Sequence, residues 1–354
     1  MAEYEVLSMK DSGKWSNLLR QIPNFQQDIY YTPEYYSLYE ELGDGKANCF
    51  TFKKGNEIAL YPYLINSVNA FGYELDLEYF DIQGAYGYNG VISNSTNQDF
   101  IDGFYKEFNR YCRNENIIAE FTRFHPLFGN EFFSKNNFEV IFERKTVYID
   151  LNKSYESLFM GYQKTTRKQI RRASNRYNIR LQLFENDISI LDDFLFIYNE
   201  SMKRVNALPY LYFNKDYFKS LLKIKGCYCL FAFYNNKPIA AATFFHWGPY
   251  IQGHLGGSLT DYMAFAPFSL IYDQLIKFGQ SKSCRFLHVG GGATNNDEDS
   301  LLKYKMNFSD TSREFLIGKK IHNQNIYYEV IGQWIKRNPV SNSIENKMLL
   351  KYRT

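Results

Sequence analysis

Five groups of residues in this chain have types and spacings that could do chemistry. Lys305 stands on a predicted helix after the acidic stretch Asp297-Glu298-Asp299 and behind a Gly290-Gly291-Gly292 elbow. An ammonium there could meet negative charge as it develops on a reacting group. His254 and His288 fall on two predicted strands, and an unperturbed imidazole titrates close enough to neutral pH to accept a proton. Arg123 and His125 end a strand just ahead of Pro126, where a binding loop would start. Tyr86 and Tyr88 alternate with glycines in a turn, and rings presented in this way suit a sugar or a peptide. Between Ser154 and Asn178, Lys164, Arg167, Lys168, Arg171 and Arg172 recur at spacings of three and four. On one helix they form a basic stripe that could contact a phosphate, a pyrophosphate or an RNA end. Each group also has a plainer reading: a solvated lysine, core histidines, a loop cap, packed rings and a solvated helix face.

The elements that must position these residues read as one plan used twice. The clearer copy runs from about Asn178 to Phe308: a short alternating strand at Ile179–Leu183, helical stretches at Asp192–Arg204 and Lys215–Lys223, and a three-strand meander over 228–234, 237–246 and 250–255. A helix from about Ala266 to Phe278 and a buried strand at Arg285–Val289 complete it. In the first 150 residues, Phe50-Thr51-Phe52-Lys53-Lys54-Gly55-Asn56-Glu57-Ile58-Ala59-Leu60 lines up with Phe231 to Ala241 of the later copy. A duplicated α/β unit in that order is compatible with few topologies. With 354 residues, two domains are expected, 1–150 and 151–354, the second opening with a basic connecting helix at 154–174.

Composition removes several classes of function. Hydrophobic residues make up 45% and aromatic residues 18%, enough for two sizeable cores. The longest apolar stretch, Pro238–Phe245, is interrupted by Thr243 and is far short of the roughly 20 residues that cross a bilayer. The start, Met1-Ala2-Glu3-Tyr4-Glu5, has neither the basic nor the apolar segment of a secretory signal. Five cysteines, with Cys227 and Cys229 on one face of a strand, form neither a disulfide framework nor a zinc pattern, so a reduced, cytoplasmic location is expected. A net charge of +3 attracts anionic partners mildly and gives no footprint for DNA. There is no Gly-x-Ser-x-Gly elbow, no Gly-Lys-Ser/Thr phosphate loop and no histidine pair at metal spacing, so no metal site is expected.

Several segments, taken in order, resemble the GNAT-type acyltransferase fold that the Fem family of peptidyltransferases uses in tandem, with related acyltransferases of bacterial envelope polysaccharide pathways. They are Tyr250-Ile251-Gln252-Gly253-His254-Leu255-Gly256-Gly257-Ser258, Ala264-Phe265-Ala266-Pro267, Leu287-His288-Val289-Gly290-Gly291-Gly292 and Tyr304-Lys305-Met306-Asn307-Phe308. Earlier in the chain, Asp81 to Gly90 resembles a Tyr-Gly-Tyr-Gly-Gly turn and Glu120 to Leu127 an Arg-Phe-His-Pro strand end. The resemblance implies an α/β fold of two GNAT-like domains sharing a cleft. It also implies an enzyme that moves an acyl group, with acyl-CoA as donor, to an amine or hydroxyl of a nucleotide- or lipid-linked envelope sugar or peptide precursor.

Two alternatives stay beside that reading. One uses aminoacyl-tRNA to build a peptidoglycan bridge, making tRNA a partner; the other is a non-catalytic protein that binds a saccharide or partner. Peripheral membrane association is compatible with all three. By resemblance Lys305 holds the acceptor or stabilises the oxyanion, with His254 and His288 as further catalytic candidates. Tyr198, Arg204, Tyr210 and Tyr304 join Tyr86, Tyr88, Arg123, His125, Lys164, Arg167 and Arg171 as substrate contacts. Acyl transfer needs hydrogen-bond donors aimed at the developing oxyanion. In this fold they are backbone N–H groups where two strands splay, which assigns the donor to Gln252, Gly253, Leu255 and Gly256, with the helix start at Ala266. The loop Leu259–Met263 lacks the glycines that usually cradle a pyrophosphate.

Overall fold

The computed structural model describes residues 2–339 and 348–353. In chain order its elements are β1 (Ala2–Ser8), α1 (Ser12–Leu19), α2 (Pro33–Leu42), β2 (Lys46–Lys54), β3 (Glu57–Ser67), β4 (Phe80–Gln83), β5 (Ile92–Ser93), α3 (Gln98–Asn114) and β6 (Ile117–Arg123). Then come β7 (Glu139–Asp150), α4 (Tyr155–Gly161), α5 (Lys164–Arg171), β8 (Arg180–Glu185), α6 (Leu191–Arg204), α7 (Lys215–Lys223), β9 (Cys227–Tyr234), β10 (Lys237–Trp247) and β11 (Tyr250–Ser258). The last are α8 (Pro267–Ser281), β12 (Phe286–Gly291), α9 (Ser300–Met306), β13 (Ser312–Ile321) and α10 (Gln324–Arg337).

By its internal contacts the chain divides into two compact units, Met1–Glu143 with Phe315–Thr354, and Arg144–Glu314. The duplicated plan is explicit. In the first unit β1, α1, α2, β2, β3, β4, α3, β6 follow one another; in the second β8, α6, α7, β9, β10, β11, α8, β12 do the same. Strand order is β1-β2-β3-β4-β6-β13 in the first, with β5 on β3, and β8-β9-β10-β11-β12-β7 in the second. In both, the first four strands are antiparallel and the fourth and fifth run parallel. A parallel pair needs a long crossover, and α3 and α8 supply it. The aligned segments are the same two-residue hairpin, closing at Lys54↔Glu57 and at Tyr234↔Lys237. In the second, Asn235 and Asn236 both have positive φ, 48° and 63°, the left-handed pair that matches the twist of the flanking strands.

Residues 315–339 and 348–353, which the division at residue 150 assigns to the second domain, pack in the first unit. The reason is pairing over a long sequence distance: β13 adds to β6 from Ile317↔Arg123 to Ile321↔Ala119, and Val330 and Trp334 of α10 join a core with Ile118 and Tyr352. Asp81, fully buried on β4, receives the Tyr352 hydroxyl at 2.7 Å and the Arg353 Nε at 3.0 Å.

The single basic helix expected at 154–174 is two helices and a π turn. Between α4 and α5, Tyr162 and Gln163 are extended, with ψ of 153° and 141°. Tyr162 is drawn inward, its hydroxyl 3.2 Å from Asp273, while the Gln163 N–H donates to Asn307 O at 2.9 Å. Arg167 then donates to Met160 O at 2.6 Å and to Tyr162 O, satisfying carbonyls that the break leaves without helical partners.

Arg353→Ala leaves the Asp81 carboxylate buried without its cation. Such a loss costs about 3–5 kcal/mol, so urea unfolding of the variant should show a midpoint well below wild type; an unchanged midpoint would show that the C-terminal residues are not anchored at Asp81.

Candidate active site

In the second unit, β11 and β12 pair at three positions, Tyr250↔Phe286, Ile251↔Leu287 and Gln252↔His288. Beyond them β11 continues against β10 and β12 against β7, so the two strands part. A cavity of about 480 Å³ lies in the opening, bounded by Gly253–Ser258 of β11, Val289 of β12 and Ala266–Ser269 at the start of α8.

A bulge sets the shape of β11. The register runs Ala242↔Gly256 and then Phe244↔Gly253, so Thr243 faces two residues, His254 and Leu255. The buried Thr243 hydroxyl accepts the Leu255 N–H at 3.1 Å and donates to Leu255 O at 3.1 Å. Leu255 therefore lines the cavity with its N–H held by Thr243, instead of turned toward an oxyanion as the sequence argument expects. Gly256 is needed for close approach: a Cβ there would lie 2.7 Å from Ala241 O.

Four of the polar side chains expected from the sequence line the cavity: Lys305, Tyr304, His254 and Arg204. Asp299 caps α9 by accepting the Leu301 and Leu302 N–H groups at 2.9 Å, which fixes the helix that carries Tyr304 and Lys305. Lys305 is 8% exposed and donates to Gly291 O at 2.6 Å. Burial lowers its ammonium to about 7, with Asp299 opposing the shift and Arg144 adding to it. The Tyr304 hydroxyl lies 3.0 Å from Ser269 Oγ, and burial pushes its phenol up to about 12. His254 Nε2 is 2.8 Å from the Tyr217 hydroxyl, and burial takes the imidazole down to about 3. Burial thus favours the neutral imidazole. Arg204 donates to Ser258 O at 2.7 Å and to Ser201 Oγ at 2.9 Å, tying α6 to the end of β11.

Of the residues expected from the sequence, the cavity gathers Lys305, Tyr304, His254, Arg204, Gly253, Leu255, Gly256 and Ala266. His288 and Gln252 are buried at the last paired rung and bond to each other, Nδ1 to Oε1 at 3.0 Å, away from the cavity lining. Tyr198 is buried and donates to Leu211 O at 2.7 Å, while Tyr210 is exposed on the following turn. From α5 only Gln169 reaches the lining; Lys164, Arg167 and Arg171 do not, and Arg171 lies 5.4 Å over the Phe159 ring. In the first unit His125 is fully enclosed: Nδ1 accepts the Leu127 N–H at 3.2 Å, Nε2 faces Asp28 at 3.1 Å and the ring stacks on Phe128 at 3.6 Å. Arg123 donates to Gly84 O at 3.2 Å, and Tyr88 sits edge-on to Tyr30 and His125, with Tyr86 half-buried beside them in the turn. The sequence reading passed over Thr243, Ser201, Ser269 and Gln169. Thr243 alone had a visible signal, as the polar residue interrupting the apolar run Pro238–Phe245.

The corresponding place in the first unit is closed. Past Gln83↔Phe121, the last paired position of β4 and β6, Asn89 is wholly buried against the end of β6. Its N–H donates to Arg123 O at 2.6 Å and its Oδ1 accepts the Arg123 N–H at 2.8 Å. A Cβ at Gly84 would lie 2.3 Å from that amide, so the side chain fills the space where the strands would part. A separate hollow of about 430 Å³ in this unit, beside Arg113 and His322, includes none of the expected residues.

No protein-family model matches the sequence, and no curated protein matches it. Among solved structures, FemX is similar with a TM-score of 0.69 at 12% identity, over 92% of this chain and 99% of that one. The fold is FemX-like. The structure of L-PGS from Bacillus licheniformis is similar with a TM-score of 0.56 at 10% identity, over 91% of this chain and 96% of that one. A tandem GNAT protein from the clavulanic acid biosynthesis pathway gives 0.52 at 7% identity, over 91% and 99%. Among the described residues of this FemX-like chain, no helix is long and apolar enough to cross a membrane and no group of His, Cys, Asp or Glu could hold a metal ion.

Thr243→Val keeps shape and removes the hydroxyl, leaving the Leu255 N–H and C=O buried without it. Unsatisfied groups of this kind cost about 1–3 kcal/mol, which chemical unfolding should register; equal stability would mean that the bulge is held by something else.

Proposed function

We propose that this protein is an acyltransferase whose single reaction centre is the open wedge between β11 and β12. The observation that carries the proposal is the parting of those strands over an apolar cavity with a buried lysine at its edge, in a fold of the FemX type. An acyl carbonyl laid in the wedge is attacked by an amine or hydroxyl. The new bond forms at the carbonyl carbon, the C=O pair moves to oxygen, and collapse of that intermediate expels the donor's thiolate or alkoxide, which takes up the proton the nucleophile gives away. The Lys305 ammonium stabilises the oxyanion or holds the acceptor. Tyr304 stays protonated and, with Ser269, presents hydroxyls to the same space.

The donor proposed first is acyl-CoA, with the start of α8 offering the positive end of its dipole to the carrier. The acceptor proposed is an amine or hydroxyl on a nucleotide- or lipid-linked precursor of the cell envelope, in the cytoplasm. Aminoacyl-tRNA is the competing donor; in its favour, the turn Thr260–Phe265 leading into α8 carries no glycine that could wrap a pyrophosphate.

A mass-spectrometric screen of acyl-CoAs and aminoacyl-tRNAs against nucleotide sugars and peptide precursors tests this directly, since a product mass names donor and acceptor together. With that pair, Lys305→Ala should lower kcat by roughly 10²–10³ in protein that circular dichroism shows to be folded; a variant retaining a third of wild-type kcat would remove Lys305 from the mechanism. Because the ammonium is the working form, kcat/KM should fall as pH rises through about 7, and this limb should vanish in Lys305→Met.

The same burial has a stability signature. The folded value of about 7 lies below the ordinary 10.5, so between them the unfolded chain binds the proton that the folded chain has released. Wild type should therefore gain stability relative to Lys305→Met as pH rises from 7 toward 10; a difference flat with pH would contradict a buried Lys305.

A further inference from the structure

The charge lining the wedge has one sign. Arg204 and Lys305 are its cations, His254 is held neutral, and among the described residues no Asp or Glu lines the cavity. The carboxylates nearby are turned to other partners. Asp299 takes the N–H groups of Ala293, Thr294, Leu301 and Leu302. Asp273 receives the Tyr155 hydroxyl at 3.0 Å, the Tyr162 hydroxyl at 3.2 Å and Lys277 at 2.7 Å. Glu200 takes the Thr260 N–H at 2.7 Å. The remaining wall is largely apolar, with Ala242, Leu255, Leu275 and Val289. An ammonium brought here loses its hydration in a largely apolar wall and finds no carboxylate to replace it, with the Lys305 ammonium and the exposed Arg204 guanidinium as its only charged neighbours in the lining.

We infer that the acyl group this site transfers carries no ammonium, so that donors with a free amine on the acyl group, simple aminoacyl donors included, are refused. The inference rests on the reading of the wedge as the acyl site. It concerns the acyl group and not its carrier, and it predicts a ranking in which neutral and anionic acyl groups stand above cationic ones. Gln169 contributes the neutral amide of α5 to the lining. It is exposed, so Gln169→Glu places a carboxylate at the cavity without disturbing the core.

The test compares near-isosteric donors on the full chain: butyryl-CoA against β-alanyl-CoA, which exchange a methyl group for an ammonium, and lactyl-tRNA against alanyl-tRNA, which exchange a hydroxyl for an ammonium. Binding of unreactive thioether analogues of the CoA pair, measured by calorimetry, needs no acceptor; kcat/KM is compared for both pairs once the acceptor is known. On whichever carrier is used, the ammonium-free member should be preferred by at least about 100-fold, since an ammonium desolvated without a counter-ion costs several kcal/mol. Gln169→Glu should narrow that preference about tenfold at an unchanged melting temperature, as expected for one opposed charge brought near the ligand. A free-amine donor used as well as its partner overturns the inference while leaving the acyltransferase reading intact. Neither carrier binding nor reacting overturns the proposed function, and the inference with it.

Discussion

The candidate site depends on how a parallel pair of strands ends. While β11 and β12 stay paired, each saturates the other's backbone and nothing can enter; once they diverge, the gap must be filled by side chains, by water or by a ligand. The divergence is built into β11 by its bulge, where Thr243 opposes two residues and its hydroxyl takes both polar groups of Leu255. The glycines that follow allow the strand to lie close to β10 and α6 while its other edge opens. One hydroxyl on the neighbouring strand thus holds open the space around which Arg204, His254, Tyr304 and Lys305 are arranged.

The duplicated plan makes the first unit an internal control. The same order of strands and helices, with the same parallel pair joined by the same helical crossover, ends there in a plugged gap. Asn89 can seal it because its amide offers an acceptor to the Arg123 N–H while its backbone N–H reaches the Arg123 carbonyl. The two copies differ at this place by whether a polar side chain completes the ladder. That difference concentrates the candidate chemistry in the second unit and leaves His125 and Arg123 as parts of the first unit's packing.

Burial then decides what the gathered side chains can do. Desolvation weakens the charged form of each basic group, but by unequal amounts. Lys305 keeps Asp299 nearby and retains an ammonium that titrates near neutrality, whereas His254 has the Tyr217 hydroxyl beside it and loses its charge altogether. A lysine that remains partly charged next to a histidine that does not is an arrangement suited to stabilising negative charge more than to removing a proton.

Much of the fold was legible in the sequence because its signals are local. Alternation marked the meander, and the match between residues 50–60 and 231–241 exposed the repeat. The glycines of β11 and the Tyr304-Lys305 pair were legible for the same reason, as short strings on single elements. What stayed hidden depends on partners far along the chain. The placement of β13 and α10 follows from β13 pairing with β6, about 200 residues away, and the break in the basic helix follows from Tyr162 and Gln163 being pulled toward Asp273 and Asn307. A helical spacing of charges shows that they share a face; it does not show what that face meets, and in α5 it is Gln169 that reaches the cavity while Arg167 and Arg171 brace α4. Whether His254, His288 or His125 stands in a cavity or in a core was likewise fixed by burial alone, since desolvation and hydrogen-bond partners are set by neighbours that only the tertiary structure brings together.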